Sequence, residues 1–203
     1  MPESRASFGR LLADIRACEL CAAYLPHGPR PVLQAHPDAR LLIVSQAPGR
    51  RVHESGIPFD DKSGEKLREW LGIDEPTFHD EKRVAIVPMA FCYPGKGTSG
   101  DLPPRRECAP RWHPSLLPRL RKIELTLAIG SYAIDALPGR RKRATLTETV
   151  RAWRDYLDTG VMPLPHPSPR NTAWFVYNPW FEREAVPVLR QRVSKTLAPA
   201  QRT

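Results

Sequence analysis

Four short apolar runs, Leu41–Val44, Val84–Val87, Leu125–Ile129 and Val161–Leu164, constrain this chain more than any other feature. Each is rich in Val, Ile or Leu and lacks apolar–polar alternation. A strand with one wet face alternates, whereas a strand covered on both faces reads as a continuous apolar stretch. Helical patterns stand between and around the runs. Phe8, Leu11, Leu12 and Ile15 repeat at helical spacing behind Ser7, a predicted N-cap. Ser63 to Leu71 places Leu67, Trp70 and Leu71 on one face. Ser131 is predicted to cap a short helix that Pro138-Gly139 ends, and Leu146, Val150, Trp153 and Leu157 mark a longer one. Strands alternating with helices predict an α/β fold: a parallel, three-layer α/β/α domain.

The 203 residues suit one domain, 1–203, with a frayed tail from about 195. Hydrophobic residues form 41% of the chain, which argues against disorder. No run approaches the roughly 20 apolar residues needed to cross a bilayer, and the start lacks a secretory pattern. A cytoplasmic monomer with no membrane contact is expected. Lys and Arg outnumber Asp and Glu by 31 to 22, a formal charge of +9. Such a surplus favours a polyanionic partner, because clustered cations gain by neutralising phosphates.

Ligands of parallel α/β folds sit beyond the carboxyl ends of the strands. Here those ends are followed by proline: Pro48, Pro88, Pro94, Pro103, Pro104, Pro165, Pro167 and Pro169. Proline fixes φ, so these are stiff loops suited to a pre-organised site.

Cys18 and Cys21 form a C-x2-C pair at the end of the first helix, and Cys92 and Cys108 follow within a Pro-, Gly- and Arg-rich segment. In a cytosolic chain such a set reads as metal ligands or free thiols rather than disulfides. Four thiolates suit zinc or an iron–sulfur cluster, and spacing does not separate the two. The centre would staple the first helix to the Cys92–Cys108 loop. That loop and its exit carry Lys96, Arg105, Arg106 and Arg111, a surface suited to phosphates.

Two loops carry further chemistry. One is Ser45-Gln46-Ala47-Pro48-Gly49 with the following Gly56-Ile57-Pro58-Phe59-Asp60-Asp61-Lys62-Ser63-Gly64, and the other is His166-Pro167-Ser168-Pro169-Arg170-Asn171. With the four cysteines, these segments resemble the uracil-DNA glycosylase superfamily, and most closely its iron–sulfur class of bacterial and archaeal enzymes. The His166–Asn171 loop is more similar to that of the single-strand-selective monofunctional class. The resemblance implies a four-stranded parallel sheet between helices. It implies a [4Fe–4S] cluster on Cys18, Cys21, Cys92 and Cys108, with structural zinc as the alternative, and DNA containing a damaged base as the partner.

The implied reaction is hydrolysis of the N-glycosidic bond of a flipped-out deaminated base, most readily uracil, in base-excision repair. His166 would donate a hydrogen bond to the departing base, and Phe59 would stack on it. Gln46 and Ala47 would meet the base or the attacking water. Ser168, Arg170 and Asn171 would grip the duplex. No lysine lies in either motif to form a Schiff base, so a monofunctional enzyme is expected.

Two positions depart from the iron–sulfur class, which has Glu where Gln46 stands and a base-reading Asn where Pro88 stands. An amide orients water but takes no proton from it. Asp60, Asp61 or Glu54 is therefore expected to supply a carboxylate, with Asp60 preferred as the neighbour of Phe59. Hypoxanthine and xanthine are alternative targets, and a lesion-binding protein with weak or no hydrolysis is the alternative activity. A covalent trap through His166 is disfavoured, because the basic run Arg140-Arg141-Lys142-Arg143 lacks a second histidine.

Overall fold

A computed structural model describes residues 5–136 and 143–199. The helices are α1 (Arg5–Arg16), α2 (Arg50–Ser55), α3 (Lys62–Leu71), α4 (Glu75–Phe78), α5 (Cys108–Leu116), α6 (Gly130–Asp135), α7 (Leu146–Arg151), α8 (Thr172–Tyr177) and α9 (Val186–Leu197). The strands are β1 (Leu41–Val44), β2 (Val84–Ile86), β3 (Leu125–Ile129) and β4 (Val161–Leu164). All four apolar runs are strands, paired in parallel in the order β2-β1-β3-β4. Ile43 lies in register with Ile86 on one side and Leu127 on the other.

Every residue of β1 and β2 is buried, so both faces of the sheet are covered, as the unbroken apolar runs require. The result is a three-layer α/β/α domain. Helix α9 packs on β1, β3 and α3, while α6 and α7 pack at β4. Pro163 is tolerated inside β4 because that strand is an edge, where a missing N–H costs no ladder bond on the open side.

Strand pairing continues past the strand ends. The N–H groups of Val87, Met89 and Ala90 donate to the carbonyls of Ile43, Ser45 and Gln46 at 2.9, 2.8 and 3.0 Å. These bonds sew the loop after β1 to the loop after β2, which fixes the floor of the site described below.

Several local expectations are corrected. Helix α1 begins at Arg5, ahead of Ser7. The helix expected over Ser63 to Leu71 starts one residue earlier, at Lys62, where the Asp61 side chain caps it by accepting the Gly64 N–H at 2.9 Å. Ser131 lies inside α6, whose N-cap position is Ile129. The long helix expected over Leu146–Leu157 divides into α7 and a 3-10 segment, Trp153–Thr159. A capping box between Thr145 and Glu148 starts α7. Fraying was expected from about 195, yet α9 runs to Leu197 with Thr196 and Leu197 buried. Pro138-Gly139 and Arg140–Lys142 lie outside the described residues.

Candidate active site and cysteine cluster

A cavity of about 610 Å³ opens beyond the carboxyl ends of β1, β2 and β4. Gln46, Ala47, Phe59, Pro88, Asp101 and His166 all line it, so three strand exits and the cysteine loop meet at one place. This is where the α/β ligand rule puts a site.

His166 follows β4 by two residues. Its Nδ1 accepts the Ser168 N–H at 3.2 Å, and its carbonyl accepts Asn171 Nδ2–H at 2.8 Å. With Nδ1 occupied as an acceptor, the neutral ring carries its proton on Nε2. Burial pushes its pKa below the ordinary value, against the opposing negative charge of Asp61 and Asp101. Gly130, at the exit of β3, has φ +79°, and a β-carbon there would sit 3.8 Å from His166 Cβ. Glycine thus supplies the positive φ at this turn, and a side chain there would pack in ordinary contact with His166.

Phe59 is the only non-glycine residue with positive φ among the described residues, at 57°. A β-carbon on Gly64 would lie 1.8 Å from the Phe59 carbonyl oxygen, so glycine is obligatory there. The ring meets Phe78 edge-on at 5.9 Å and is buried, yet it also lines the cavity. Core packing therefore anchors Phe59 without removing it from the site. Strained backbone of this kind persists only where its surroundings hold it, and it concentrates at functional sites.

Asp60 departs from its expected position. It is not among the residues lining the cavity, and its carboxylate faces Arg51 at 3.6 Å. The lining carboxylates are Asp61 and Asp101. A β-carbon built on Gly49 would be 3.7 Å from Oδ2 of each, so the two acids flank one turn of the first loop. Asp101 was missed in the sequence because it sits in the cysteine segment, without a motif of its own. Tyr93, fully buried, donates its hydroxyl toward Asp101 Oδ1 at 3.5 Å.

The remaining expected contacts are partly used by the loops themselves. Gln46 Nε2 reaches the Leu102 carbonyl at 3.5 Å. Ser168 Oγ accepts the Arg170 N–H at 3.2 Å, and Asn171 braces His166. Arg170 is exposed, lines the cavity and lies over Gly100, where a β-carbon would be 2.8 Å from its Nη1. Arg50, Arg51 and Lys62 complete a cationic rim.

A family model described as the uracil DNA glycosylase superfamily matches residues 33–190. The chain belongs to that superfamily. Membership brings DNA as the partner, base removal as the reaction class and DNA repair as the setting. The matched stretch contains His166, Phe59, Gln46 and both lining aspartates. No helix among the described residues of this superfamily member is long and apolar enough to cross a membrane.

The superfamily match contains Cys92 and Cys108 but begins after Cys18 and Cys21, so the four-cysteine set rests on its own geometry. All four are free, and all four line a second, smaller cavity with Trp112 and Arg105. Trp112 Nε1–H points at Cys18 Sγ and the Phe91 N–H at Cys108 Sγ, each at 3.4 Å. Burial pushes Cys92 up to about 11 and Cys108 up to about 12, and repulsion from neighbouring thiols adds to both. Burial also raises Cys21, opposed by a hydrogen bond from Arg105. N–H donors aimed at sulfur and mutual repulsion among the sulfurs fit a set of thiolates around a cationic centre. Among the described residues, no three Cys, His, Asp or Glu side chains close on the geometry of a single ion. Arg105 lies over the Tyr24 ring at 4.3 Å and pairs with Glu107, so it serves this cluster rather than an open phosphate surface.

Proposed function

We propose that this protein is a monofunctional DNA glycosylase that hydrolyses the N-glycosidic bond of a flipped-out deaminated base, with uracil as the leading target. The observation that carries the reading is the Ser168 N–H to His166 Nδ1 bond, which leaves an Nε2–H donor on a cavity large enough for a nucleobase. As the glycosidic bond breaks, negative charge gathers on the base oxygens. A fixed neutral donor stabilises that charge without surrendering a proton in the ground state. Phe59 supports the base by stacking, and the floor formed by Gln46 and Ala47 limits its depth. Asp61 holds negative charge near the sugar, where positive charge develops. Arg170 and the cations beside it grip the phosphates on either side of the flipped nucleotide.

The cysteine set supports the iron–sulfur class of the superfamily. Cys18, Cys21, Cys92 and Cys108 would hold a [4Fe–4S] cluster, with structural zinc as the alternative. Either centre would serve as a staple joining the segment after α1 to the loop that carries Asp101, with no part in bond breaking.

The test is a panel of single- and double-stranded DNA containing uracil, hypoxanthine or xanthine, followed by alkaline cleavage of abasic sites. Release of uracil that is lost in His166→Ala supports the proposal. No product from any base at stoichiometric protein refutes it. Pro88 has no side-chain donor, which favours a second reading, lesion binding without hydrolysis. Tight, salt-sensitive binding with no base release would establish that reading instead.

A further inference from the structure

We infer that Asp101, carried by the cysteine loop, holds and deprotonates the water that attacks the sugar. The inference rests on the base-release reading of the same cavity. Its support is positional. Asp101 and Asp61 are the carboxylates among the lining residues. Asp61 Oδ1 is committed to the Gly64 N–H, where it caps α3. Among the described residues, Asp101 Oδ1 takes one hydrogen bond, the long one from Tyr93 at 3.5 Å, and its Oδ2 faces the Gly49 turn.

One contact reaches this carboxylate directly, and two more hold the residues before and after it in the chain. Tyr93 approaches from the buried side. Arg170, from the His166 loop, covers Gly100. The Gln46 amide reaches the carbonyl of Leu102, the next residue in the chain after Asp101, at 3.5 Å. Gln46 cannot take a proton from water, yet its side chain ends at the backbone of Leu102, the residue that follows one that can. The carboxylate needed at this end of the cavity is thus supplied through space by the cysteine loop.

The step balances without any other reactant. The bond from the sugar C1′ to the base nitrogen breaks, and its electron pair leaves with the base. The water oxygen bonds to C1′ and its proton passes to Asp101. The base anion, held by His166 Nε2–H, later takes a proton from solvent, and Asp101 returns its own to solvent.

The experiment uses the full chain and whichever base the wild type releases, measured in single turnover with enzyme in excess, alongside affinity for the same DNA. Asp101→Asn is expected to lower the rate at least about 100-fold, the usual contribution of a general base, with DNA affinity retained. Asp61→Asn keeps a capping side chain and is expected to lose less. Adding Gln46→Glu to the Asp101→Asn protein should restore part of the rate, because position 46 lines the same cavity and reaches the backbone next to Asp101. That rescue excludes misfolding as the cause of the loss. An Asp101→Asn rate equal to wild type overturns the inference, as does a loss confined to Asp61→Asn or a failure of the rescue. If the wild type releases no base from any strand, the underlying reading fails, and this inference fails with it.

Discussion

The Ser168 backbone N–H donates to Nδ1 of His166 at 3.2 Å, and this one bond decides what the imidazole can offer the cavity. Protonation of Nδ1 would break it, because two N–H groups would then face each other. The form this bond selects is therefore the neutral ring with its proton on Nε2, and that is the form the proposed reaction requires. Burial lowers the His166 pKa from its ordinary 6.5. The neutral form should dominate at neutral pH, and base release should fall only as pH drops through that depressed value. His166→Ala should reduce the single-turnover rate by about 10²–10³, the usual effect of losing one preorganised donor to a developing anion. It should also remove the acidic limb of the pH–rate profile assigned to this ring. An unchanged limb in the variant would assign it elsewhere.

Stability should follow the same sign. Burial lowers the pKa of His53, His113 and His166 from the ordinary 6.5. For a histidine depressed in the folded state, the unfolded chain takes up protons first as pH falls. The folded state is therefore unaffected well above 6.5 and loses stability between 6.5 and the depressed values. Urea midpoints should be lower at pH 5.5 than at pH 7.5. His113, whose Nε2 sits 3.0 Å from the Pro88 carbonyl, is the clearest structural contributor. His113→Asn should narrow the difference between the two midpoints.

Phe59 and Gly64 make a paired prediction. Phe59→Ala keeps the turn and removes the ring, so lesion binding and rate should weaken by about 1–3 kcal/mol of stacking, roughly 5- to 150-fold. Gly64→Ala forces a β-carbon to within 1.8 Å of the Phe59 carbonyl oxygen. It should displace the turn and with it Asp61, whose cap bond goes to Gly64 N–H. The expected result is a larger loss of activity than Phe59→Ala, together with lower thermal stability. Activity equal to wild type in Gly64→Ala would show that the turn does not position the ring.

These residues also mark how far the sequence could be read. Strand positions were legible because both sheet faces are buried, which erases alternation in the strands themselves. That His166 and Phe59 would line one cavity was legible because each sits in a short motif beside a strand exit or a glycine. The choice among acidic neighbours was not legible. Phe59 adopts φ 57°, and that left-handed turn sends Asp60 toward Arg51 while Asp61 faces the cavity. No periodicity reports a single left-handed residue. Asp101 was invisible for another reason: it reaches the site through a long loop, and Tyr93 and the Gly49 turn meet it only in three dimensions.

The cysteine cavity gives a test that does not depend on activity. Trp112 Nε1–H lies 3.4 Å from Cys18 Sγ. If the cysteines bind a [4Fe–4S] cluster, protein purified without oxygen should be brown, and Trp112 fluorescence should be quenched. Removal of iron by a chelator should restore the emission and lower the melting temperature, because the link between the segment after α1 and the Cys92–Cys108 loop is lost. Cys108→Ser should behave like the iron-free protein. A colourless protein with stoichiometric zinc would assign the same four ligands to zinc instead.

Arg170 offers the sharpest separation between gripping DNA and cleaving it. Its N–H is held by Ser168 Oγ at 3.2 Å, and its guanidinium lies over Gly100 at the cavity edge. The side chain is exposed, so its charge is available to a phosphate. Each phosphate contact releases about one counterion, and its loss shows as a shallower dependence of affinity on salt. Arg170→Ala should therefore weaken binding to all DNA strands about equally and reduce the log–log salt slope by about 1. The rate at saturating protein should change far less than in His166→Ala. A loss confined to lesion-containing DNA, with an unchanged slope, would place Arg170 against the base rather than the backbone. An unchanged affinity would leave Arg170 as a prop for the Gly100 segment alone.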